Sequence, residues 1–554
     1  MREMASNVWQ GLWRSHRQTK SLLNVFAYKK EGKQVTKNIE TRENVKDDSQ
    51  PPQKPDNQEN LIAYSKPQLI GLILGPLLFV LTMFLFSPEG MSPEAKAVLA
   101  VTLWIATWWI SEAIPIPVTS LLPIFLLPVT GALDADTVTS SYGDDIIFLF
   151  LGGFFIATAM EKWNLHKRMA LAIIAFIGTS TQRILLGFMV ATAFLSMWVS
   201  NTAAVMMMIP MGLAITAQVA SALKGKPEES DLPKFEKALI FGIGYAGTIG
   251  GLGTLIGTPP NIILAAQVKQ LFDVEISFAG WMLVAVPIVI VLLLFTWVYL
   301  GRFAFKMKIK GLPGGKEVIR HERMALGKTS FEEKVVGAVF AFAAFMWITR
   351  EFIWIDIVPG LKDGMIAIIA MALLFTIPAS KKFGTRILEW KDSKEIPWGV
   401  LLLFGGGLAI AAGFRQTGLS VWIGTQLTFF DGLHLIVVIA LSSLLVLVLT
   451  EFTSNTATAT MILPVLAALA LSLNIHPFAL MVPAAMAANC AFMLPVGTPP
   501  NAIIFATGRL RIVEMVRVGF VINIFVLVLI VLAAYYLIPF FWNVDLNVVP
   551  PDFQ

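Results

Sequence analysis

Long apolar segments fill most of the chain after residue 66, and they decide what it can fold into. A helix needs about 20 predominantly apolar residues to cross a bilayer, and runs of that length recur along the chain. Of the 554 residues, 56% are hydrophobic and only 14% are charged, a composition that a water-soluble globule could not bury. Because a spanning helix satisfies its own backbone hydrogen bonds in lipid, the sequence predicts an all-α polytopic membrane protein.

Eleven apolar runs are predicted to cross the membrane once each. The predicted crossings are residues 69–87, 95–112, 115–132, 145–163, 239–271, 279–301, 334–355, 361–379, 397–414, 478–507 and 514–541. Two further runs, 184–221 and 434–473, are too long for one crossing, and each has a polar triplet near its centre. We interpret each as a re-entrant helical hairpin that enters and leaves on one side of the membrane, with the triplet at its tip.

Lysine and arginine are concentrated in alternate loops. The loops predicted to lie inside contain Lys162, Lys167 and Arg168, then the basic residues within 224–237, 302–334 and 381–394, and finally Arg509, Arg511 and Arg517. Basic loops of membrane proteins face the cytoplasm, so we expect a multi-pass cell-membrane protein with a cytoplasmic amino terminus and an extracellular carboxyl terminus. This bias explains the formal net charge of +5 without a nucleic-acid partner. Residues 1–66 are polar and aperiodic, which predicts a mostly disordered cytoplasmic tail.

The chain contains two copies of one unit. SNTAAVMMMIP at Ser200 recurs 254 residues later as SNTATATMILP at Ser454, and LGGFFIATA recurs at the same offset within FGGGLAIAAG. The motif GTPPN occurs at Gly257 and again 240 residues later at Gly497, because the first copy has an extra charged loop. Each unit contributes five predicted crossings, an odd number, so the second copy is inverted relative to the first. Inverted repeats with broken helices are typical of secondary transporters, whose sites lie where the repeats meet.

The two motifs provide different chemistry. The tandem prolines of GTPPN break a helix and leave the carbonyls around 256–258 and 496–498 without helical partners, which a bound cation could satisfy. At a hairpin tip, the amino-terminal N–H groups of the second helix attract a carboxylate. The Ser and Asn side chains of the triplet add oxygen ligands, which suit sodium better than a transition metal.

Structural explanations also exist for each feature alone. A lone Ser or Thr in a membrane helix usually bonds its own backbone or a neighbouring helix, and a lone GTPP is a common kink. Two SNT tips and two GTPPN breaks, in order within inverted repeats, favour a functional role. The glycines between spans are expected to permit close helix packing rather than to contact a ligand; these are Gly152, Gly153 and Gly405 to Gly407.

Other function classes fit less well. An intramembrane hydrolase needs Ser with His or Asp inside the bilayer, but the histidines all lie in tails, loops or span ends; they are His16, His166, His321, His434 and His476. A channel would more naturally have a ring from oligomer symmetry than two inverted sites in one chain. Glu451, three residues before Ser454, either relays protons, tunes a cation site or has a paired structural role. Glu112 is expected only to hold the bend that follows it.

The sequence WWISEAIPIPVTSLLP at Trp108, both SNT tips and both GTPPN breaks resemble the divalent anion/sodium symporter family, and its bacterial sodium-coupled dicarboxylate symporters in particular. The resemblance implies a first sodium site formed by Ser196, Ser200, Asn201 and the carbonyl of Gly257. It implies a second sodium site formed by Thr450, Ser454, Asn455 and the carbonyl of Gly497. The substrate carboxylates would be held by Asn201, Thr202, Asn455 and Thr456, together with Thr258, Thr498 and Pro499.

The resemblance also implies a homodimer that works as an elevator. The fixed scaffold would comprise residues 67–170 and 334–430, and the moving transport domain residues 171–305 and 431–554, with a basic cytoplasmic loop at 306–333. The expected activity is import of C4-dicarboxylates (succinate, malate or fumarate) with sodium as coupling ion and no other cofactor. A sodium-independent exchanger of the same fold, and a carrier of citrate or sulfate, are the alternatives. Membrane lipid is the expected surrounding partner, and no enzymatic activity is expected.

Overall fold

The computed structural model describes residues 65–553, apart from 179, 226, 308–314, 381–383 and 427–431. In these residues the regular secondary structure is helical. An isolated antiparallel β-bridge pairs Pro378 with Arg386, and the described residues form no β-strand. The all-α prediction is therefore confirmed. The predicted disordered tail lies almost wholly outside the described residues.

The first six helices form the amino-terminal part of the described chain. They are α1 Lys66–Leu85, α2 Pro93–Ser111, α3 Ile116–Thr119, α4 Pro123–Val129, α5 Ala135–Ser140 and α6 Asp145–Lys162. The predicted crossing at 115–132 is thus two short helices rather than one continuous helix. Pro123 is the reason, because it has no N–H to donate to the preceding turn and instead begins α4.

The first hairpin and the first broken helix follow. The helices are α7 Leu165–Ile177, α8 Thr181–Ser196, α9 Asn201–Leu223, α10 Leu232–Gly251, α11 Pro259–Phe272 and α12 Phe278–Val298. Helices α8 and α9 lie in the run predicted to form the first hairpin and meet at the first SNT triplet, where Ser200 caps α9. Helices α10 and α11 are the two parts of the predicted broken helix, with GTPPN at the start of α11.

The next helices comprise one from the basic loop and the first helices of the second half. They are α13 Gly315–Ala325, α14 Phe331–Thr349, α15 Ile355–Ile357, α16 Asp363–Thr376, α17 Trp398–Gln416 and α18 Leu419–Gln426. Helix α13 lies within the predicted basic loop, so that loop is partly helical.

The second half repeats the hairpin and the break. Its remaining helices are α19 Leu435–Phe452, α20 Asn455–Ser472, α21 Phe478–Ala488, α22 Pro499–Ala506 and α23 Ile512–Trp542. Helices α19 and α20 meet at the second SNT triplet, and α21 and α22 are separated by the second GTPPN motif. Both predicted helix breaks are confirmed.

Nine helical stretches of the described chain are long and apolar enough to cross a membrane. Three of the nine are hairpin arms, namely Asn201–Ser221, Leu435–Phe452 and Asn455–Ser472. Length and composition do not distinguish an arm that turns back from a helix that crosses. Eleven crossings with two re-entrant hairpins therefore stay a prediction.

The two halves interlock around the broken helices. Helix α11 of the first half packs against α17, α20 and α21 of the second, and α22 of the second half packs against α9 and α10. Glycine permits close contacts elsewhere: a Cβ on Gly152 would lie 2.6 Å from the backbone of Ala367, and one on Gly406 would lie 2.5 Å from the carbonyl oxygen of Ser120. These contacts support the packing role expected for these two glycines. The packing brings both tips and both breaks into one region.

Candidate functional site

The first hairpin tip places three oxygen atoms together. The Ser196 hydroxyl lies 2.6 Å from the side-chain oxygen of Asn201 and 2.6 Å from the carbonyl oxygen of Gly247. A hydroxyl has one hydrogen, so it can donate to only one of these oxygens at a time. The cluster therefore has more oxygen lone pairs than hydrogens, which is the arrangement that a small cation satisfies.

The second tip repeats this cluster. The Thr450 hydroxyl lies 2.7 Å from the side-chain oxygen of Asn455 and 2.6 Å from the carbonyl oxygen of Ala488. Thr450 and Asn455 occupy the positions of Ser196 and Asn201 in the repeat. At each tip the structure thus brings together two of the three side chains that the resemblance implies for a sodium site, leaving Ser200 and Ser454 without a bond to the clusters.

Two members of these clusters were missed by the sequence reasoning, namely the carbonyls of Gly247 and Ala488. Each belongs to the helix before a break, ten and nine residues upstream of Gly257 and Gly497. No residue type at these positions signals a ligand, because any residue has a backbone carbonyl.

The two tips differ in how their serines are used. The Ser200 hydroxyl accepts a hydrogen bond from the N–H of Ala203 at 3.2 Å and caps α9, whereas the Ser454 hydroxyl makes no such cap. The N–H groups of Asn201 and Thr202 donate to no residue in the described ranges. Such free N–H groups at the start of a helix are suited to an anion.

The side chains around the tips are accessible to different degrees. Ser200 is exposed, and the other tip residues are half-buried: Asn201, Thr202, Ser454, Asn455 and Thr456. Thr258 and Thr498 are both buried, while Pro499 is exposed. A small cavity of about 10 Å³ adjoins the first tip and is lined by Phe150, Gly153, Phe154, Trp198, Val199, Ser200 and Ile256.

The glycines that begin the GTPPN motifs, Gly257 and Gly497, pack close to the tips. At the first tip, Gly251 lies between Gly257 and the oxygen cluster. A Cβ on Gly257 would lie 2.5 Å from the carbonyl oxygen of Gly251, and a Cβ on Gly251 would lie 2.5 Å from the side-chain oxygen of Asn201. Gly257 thus packs behind the first cluster without contacting its side chains directly. A Cβ on Gly497 would lie 3.5 Å from the carbonyl oxygen of Glu451.

The asparagine of each GTPPN motif holds the unwound segment before it. The Asn261 amide donates to the carbonyls of Gly251, Leu252 and Thr254 at 3.0, 3.2 and 2.8 Å. The Asn501 amide donates to those of Ala491 and Leu494 at 3.0 and 2.9 Å. The asparagine of each motif therefore satisfies carbonyls of the unwound segment. These carbonyls lie upstream of 256–258 and 496–498, where the sequence predicted that helical partners are lost.

A hydrogen-bonded link joins the two breaks. The Thr258 hydroxyl donates to the side-chain oxygen of Asn489 at 2.7 Å, and the Asn489 amide donates to the side-chain oxygen of Asn261 at 3.0 Å. The Tyr245 hydroxyl donates to the carbonyl of Phe492 at 2.9 Å. Thr258, one of the expected substrate ligands, is therefore engaged by the opposite half of the chain.

Glu451 is fully buried and accepts hydrogen bonds only from N–H donors. Its carboxylate lies 2.8 Å from the N–H nitrogen of Phe492, 3.0 and 3.1 Å from that of Met493, and 3.2 Å from that of Leu494. The Asn523 amide nitrogen of α23 lies 2.6 Å away. These contacts support the paired structural role rather than a proton relay, because every hydrogen bond of the carboxylate in the described chain comes from an N–H donor.

Cationic side chains contribute nothing directly to either tip. Among the residues that the structure describes, no Lys or Arg forms an ion pair or hydrogen bond with a tip residue; the ion pairs lie elsewhere, as between Lys237 and Glu514. The same residues contain no group of His, Cys, Asp and Glu that could hold a metal ion. Within the described part of the chain, the positive partial charge beside the tips therefore comes from the helix amino termini.

Comparison with known proteins points to one family. The family model described as the sodium:sulfate symporter transmembrane region matches residues 66–544. A protein of Staphylococcus saprophyticus named sodium-dependent dicarboxylate transporter SdcS is 56% identical over 495 residues, covering 89% of this chain and 95% of that protein. Its namesake from Staphylococcus aureus strain RF122 is 56% identical over 488 residues, covering 87% and 94%.

Solved structures give a more distant match. The YdaH transporter of Alcanivorax borkumensis superposes with a TM-score of 0.52 at 13% identity, covering 86% of this chain and 99% of that one. MtrF of Neisseria gonorrhoeae, which is associated with a class of antimetabolite efflux pumps, superposes with a TM-score of 0.51 at 11% identity, covering 86% and 95%. At this identity the likeness concerns the fold alone.

Proposed function

The chain belongs to the sodium:sulfate symporter family, the divalent anion/sodium symporters, and we propose that it imports C4-dicarboxylates across the cell membrane together with sodium. The relatives are transporters, so the chain is a transporter rather than an intramembrane hydrolase. The observation that carries the proposal is the duplicated oxygen cluster at the two tips, each beside a helix amino terminus.

One sodium ion binds at each cluster. At the first, the Ser196 hydroxyl, the Asn201 side chain and the Gly247 carbonyl face the ion, and Ser200 and the Gly257 carbonyl complete the shell. At the second, the equivalent atoms come from Thr450, Asn455 and Ala488, with Ser454 and the Gly497 carbonyl. Support comes from the chemistry of these atoms, which are all uncharged oxygens of the kind that hard cations prefer.

The substrate carboxylates bind to the amino termini of α9 and α20. Asn201 and Thr202 serve one end, and Asn455 and Thr456 serve the other. The Thr202 and Thr456 hydroxyls support this role, because they form no hydrogen bond with the described residues and are half-buried. Thr258, Thr498 and Pro499 form the wall nearest the breaks, and the Thr258 hydroxyl reaches the substrate only by exchanging its bond to Asn489.

Charge balance explains why sodium is needed. Burying a dianion without compensation costs several kcal/mol or more. The two helix amino termini offset roughly 0.3 to 2 kcal/mol each, and no Lys or Arg in the described chain contacts a tip. Two sodium ions supply the positive charge that the protein does not.

We propose that succinate, malate and fumarate are the substrates, because a four-carbon diacid has a carboxylate for each of the two tips. The protein works as a homodimeric elevator in which the scaffold (67–170 and 334–430) stays fixed. The transport domain (171–305 and 431–554) carries the tips across the bilayer. The packing of α11 against α20 and α21, and of α22 against α9 and α10, supports motion of the transport domain as one body. The amino terminus is cytoplasmic and the carboxyl terminus extracellular.

The test is uptake of labelled succinate by proteoliposomes under sodium, potassium or proton gradients. We expect uptake only with an inward sodium gradient. Uptake that needs internal dicarboxylate and ignores sodium would replace symport with exchange. Stronger inhibition by citrate or sulfate than by malate would change the substrate class.

Calorimetry tests the coupling separately from transport. We expect succinate to bind detergent-purified protein in sodium and to bind far more weakly in choline, because coupling between two ligands is reciprocal. Equal affinity in the two salts would show that the sodium ions do not balance the substrate charge.

A further inference from the structure

The two broken helices end at different places. When the GTPPN motifs are aligned, Gly251 corresponds to Ala491, which lies 240 residues later. Helix α10 runs to Gly251, whereas α21 stops at Ala488. The second helix is therefore shorter by three residues at the edge of the break.

The N–H groups that would continue α21 are diverted to a side chain. In an α-helix the N–H groups of residues 492–494 would donate to the carbonyls of residues 488–490. Here all three donate to the carboxylate of Glu451, at 2.8 to 3.2 Å. The N–H of Phe492 is thereby lost to the Ala488 carbonyl, which it would bond if α21 continued, and the N–H groups of Asn489 and Cys490 already bond three residues back, to Met486 and Ala487.

One of the carbonyls released by this diversion contacts the second tip. The carbonyl of Ala488 accepts the Thr450 hydroxyl at 2.6 Å, as part of the second oxygen cluster. The carbonyls of Asn489 and Cys490 accept no hydrogen bond from the residues that the structure describes. The second break thus presents more free backbone oxygen than a continued helix would.

The first half has no carboxylate in this role. The position equivalent to Glu451 is Met197, 254 residues earlier, which has no carboxylate. There the N–H groups of Leu252 and Gly253 donate back to the carbonyls of Ile249 and Gly250, at 3.2 and 2.9 Å. The first helix consequently continues to Gly251.

Glu451 is held from several sides. Its carboxylate accepts the Asn523 amide of α23 at 2.6 Å, and the Phe492 carbonyl accepts the Tyr245 hydroxyl of α10 at 2.9 Å. Gly519 allows α23 to approach this segment closely, because a Cβ there would collide with the Phe492 carbonyl oxygen. Since Glu451 directly follows Thr450, the backbone that anchors the carboxylate also positions the Thr450 hydroxyl.

We infer that Glu451 is a positioning residue that ends α21 early and fixes the carbonyl and hydroxyl oxygens of the second cation site. This inference rests on the proposed function, since it concerns the sodium site of that function. The two sodium sites therefore differ, because the second depends on a buried carboxylate and the first does not.

The experiment compares Glu451→Leu and Glu451→Gln with the wild-type protein in proteoliposomes. Without the carboxylate, residues 492–494 can return their N–H groups to the helix and withdraw the carbonyls from the site. We expect the sodium concentration for half-maximal uptake to rise about tenfold in Glu451→Leu, because hydrogen bonds to a charged group are lost. Glu451→Gln should show a smaller rise, because its amide oxygen can still accept. The KM for succinate at saturating sodium should change by less than about twofold in both variants.

Hydrogen–deuterium exchange supplies a readout that is independent of transport. The N–H groups of residues 492–494 should exchange at altered rates in both variants, while those of residues 252–254 should not change. Met197→Leu is the matched control at the equivalent position of the first half, and we expect it to leave the sodium dependence unchanged.

Each outcome has a distinct meaning. Altered exchange at 492–494 together with an unchanged sodium requirement would overturn the inference, as would an equal rise in Met197→Leu. Wild-type uptake that ignores sodium would overturn the proposed function instead, and the exchange measurement would still decide whether Glu451 ends the helix. If Glu451→Leu fails to fold, Glu451→Gln and Asn523→Ala are measured in the same way, and a normal sodium requirement in both overturns the inference.

Discussion

At the first tip, a Ser hydroxyl, an Asn side chain and a Gly carbonyl meet, and at the second a Thr hydroxyl, an Asn side chain and an Ala carbonyl meet at nearly the same distances. The surroundings differ. Ser200 caps its helix whereas Ser454 does not, and Glu451 anchors the second break where Met197 stands in the first. The proposed ligands of the two repeats are therefore alike, whereas the residues that hold these ligands in place differ.

The largest expected effect comes from the asparagines that the tips share. Asn201→Ala and Asn455→Ala should each abolish sodium-driven succinate uptake, because each amide serves a cation and a carboxylate in the proposed site. Thermal unfolding should show that both variants remain folded, and Asn547→Ala at an exposed loop position is the control. Near-normal uptake by either purified variant would break the equivalence of the two tips.

The next largest effect concerns the hydroxyls. Ser196→Ala and Thr450→Ala should each raise the sodium concentration for half-maximal uptake by about tenfold, the effect of losing one close oxygen ligand of about 1.4 kcal/mol. Thr450→Ser keeps the hydroxyl and should restore most of the affinity. A shift in only one of the two alanine variants would assign sodium to one tip alone.

The serines of the triplets distinguish capping from cation binding. Ser200→Ala should lower both sodium affinity and stability, the latter by about 1 kcal/mol, because it removes an N-cap. Ser454→Ala should lower sodium affinity with little loss of stability, since its hydroxyl caps nothing. Sodium-dependent uptake and thermal unfolding in sodium-free buffer separate the two effects. Equal losses of stability would contradict the difference between the tips.

The smallest expected effect is on the pH dependence of stability, and it comes from the loops that lead into the broken helices. The first is long and charged, whereas the second buries His476, whose ring stacks on Phe478 and lies tilted against Phe553. Burial lowers the pKa of His476 to about 4 from its ordinary value of 6.5. The unfolded chain therefore binds a proton at His476 near pH 6.5, whereas the folded chain binds it only near pH 4.

The sign of the pH effect follows. The contribution of His476 to the free energy of unfolding should be constant above pH 6.5 and should decrease as the pH falls from 6.5 to 4. His476→Phe should remove this slope, and thermal unfolding of both proteins at pH 7.5 and pH 5 measures it. An identical pH dependence in the two proteins would show that the second loop is no more sensitive to acid than the first.

The motifs were sufficient to predict the local structure of the tips and breaks. Tandem prolines lack N–H donors wherever they stand, so both interruptions could be predicted from GTPPN alone. The SNT triplets likewise predicted the turns between α8 and α9 and between α19 and α20, because Ser and Asn favour the start of a helix. The predicted crossing at 115–132 was less successful, since Pro123 begins a new helix there and apolar composition does not reveal that restart.

The sequence by itself determined the helical class, the internal repeat and the residue types at the two tips, because hydropathy, periodicity and proline chemistry act locally along the chain. Only the tertiary structure decided which atoms meet. The carbonyls of Gly247 and Ala488 and the amide of Asn489 reach the tips or the breaks from other helices, and a backbone carbonyl has no signature in the sequence. Glu451 shows the same division: its position before the triplet could be read, but its partners at 492–494 depend on how α19 packs beside the second break.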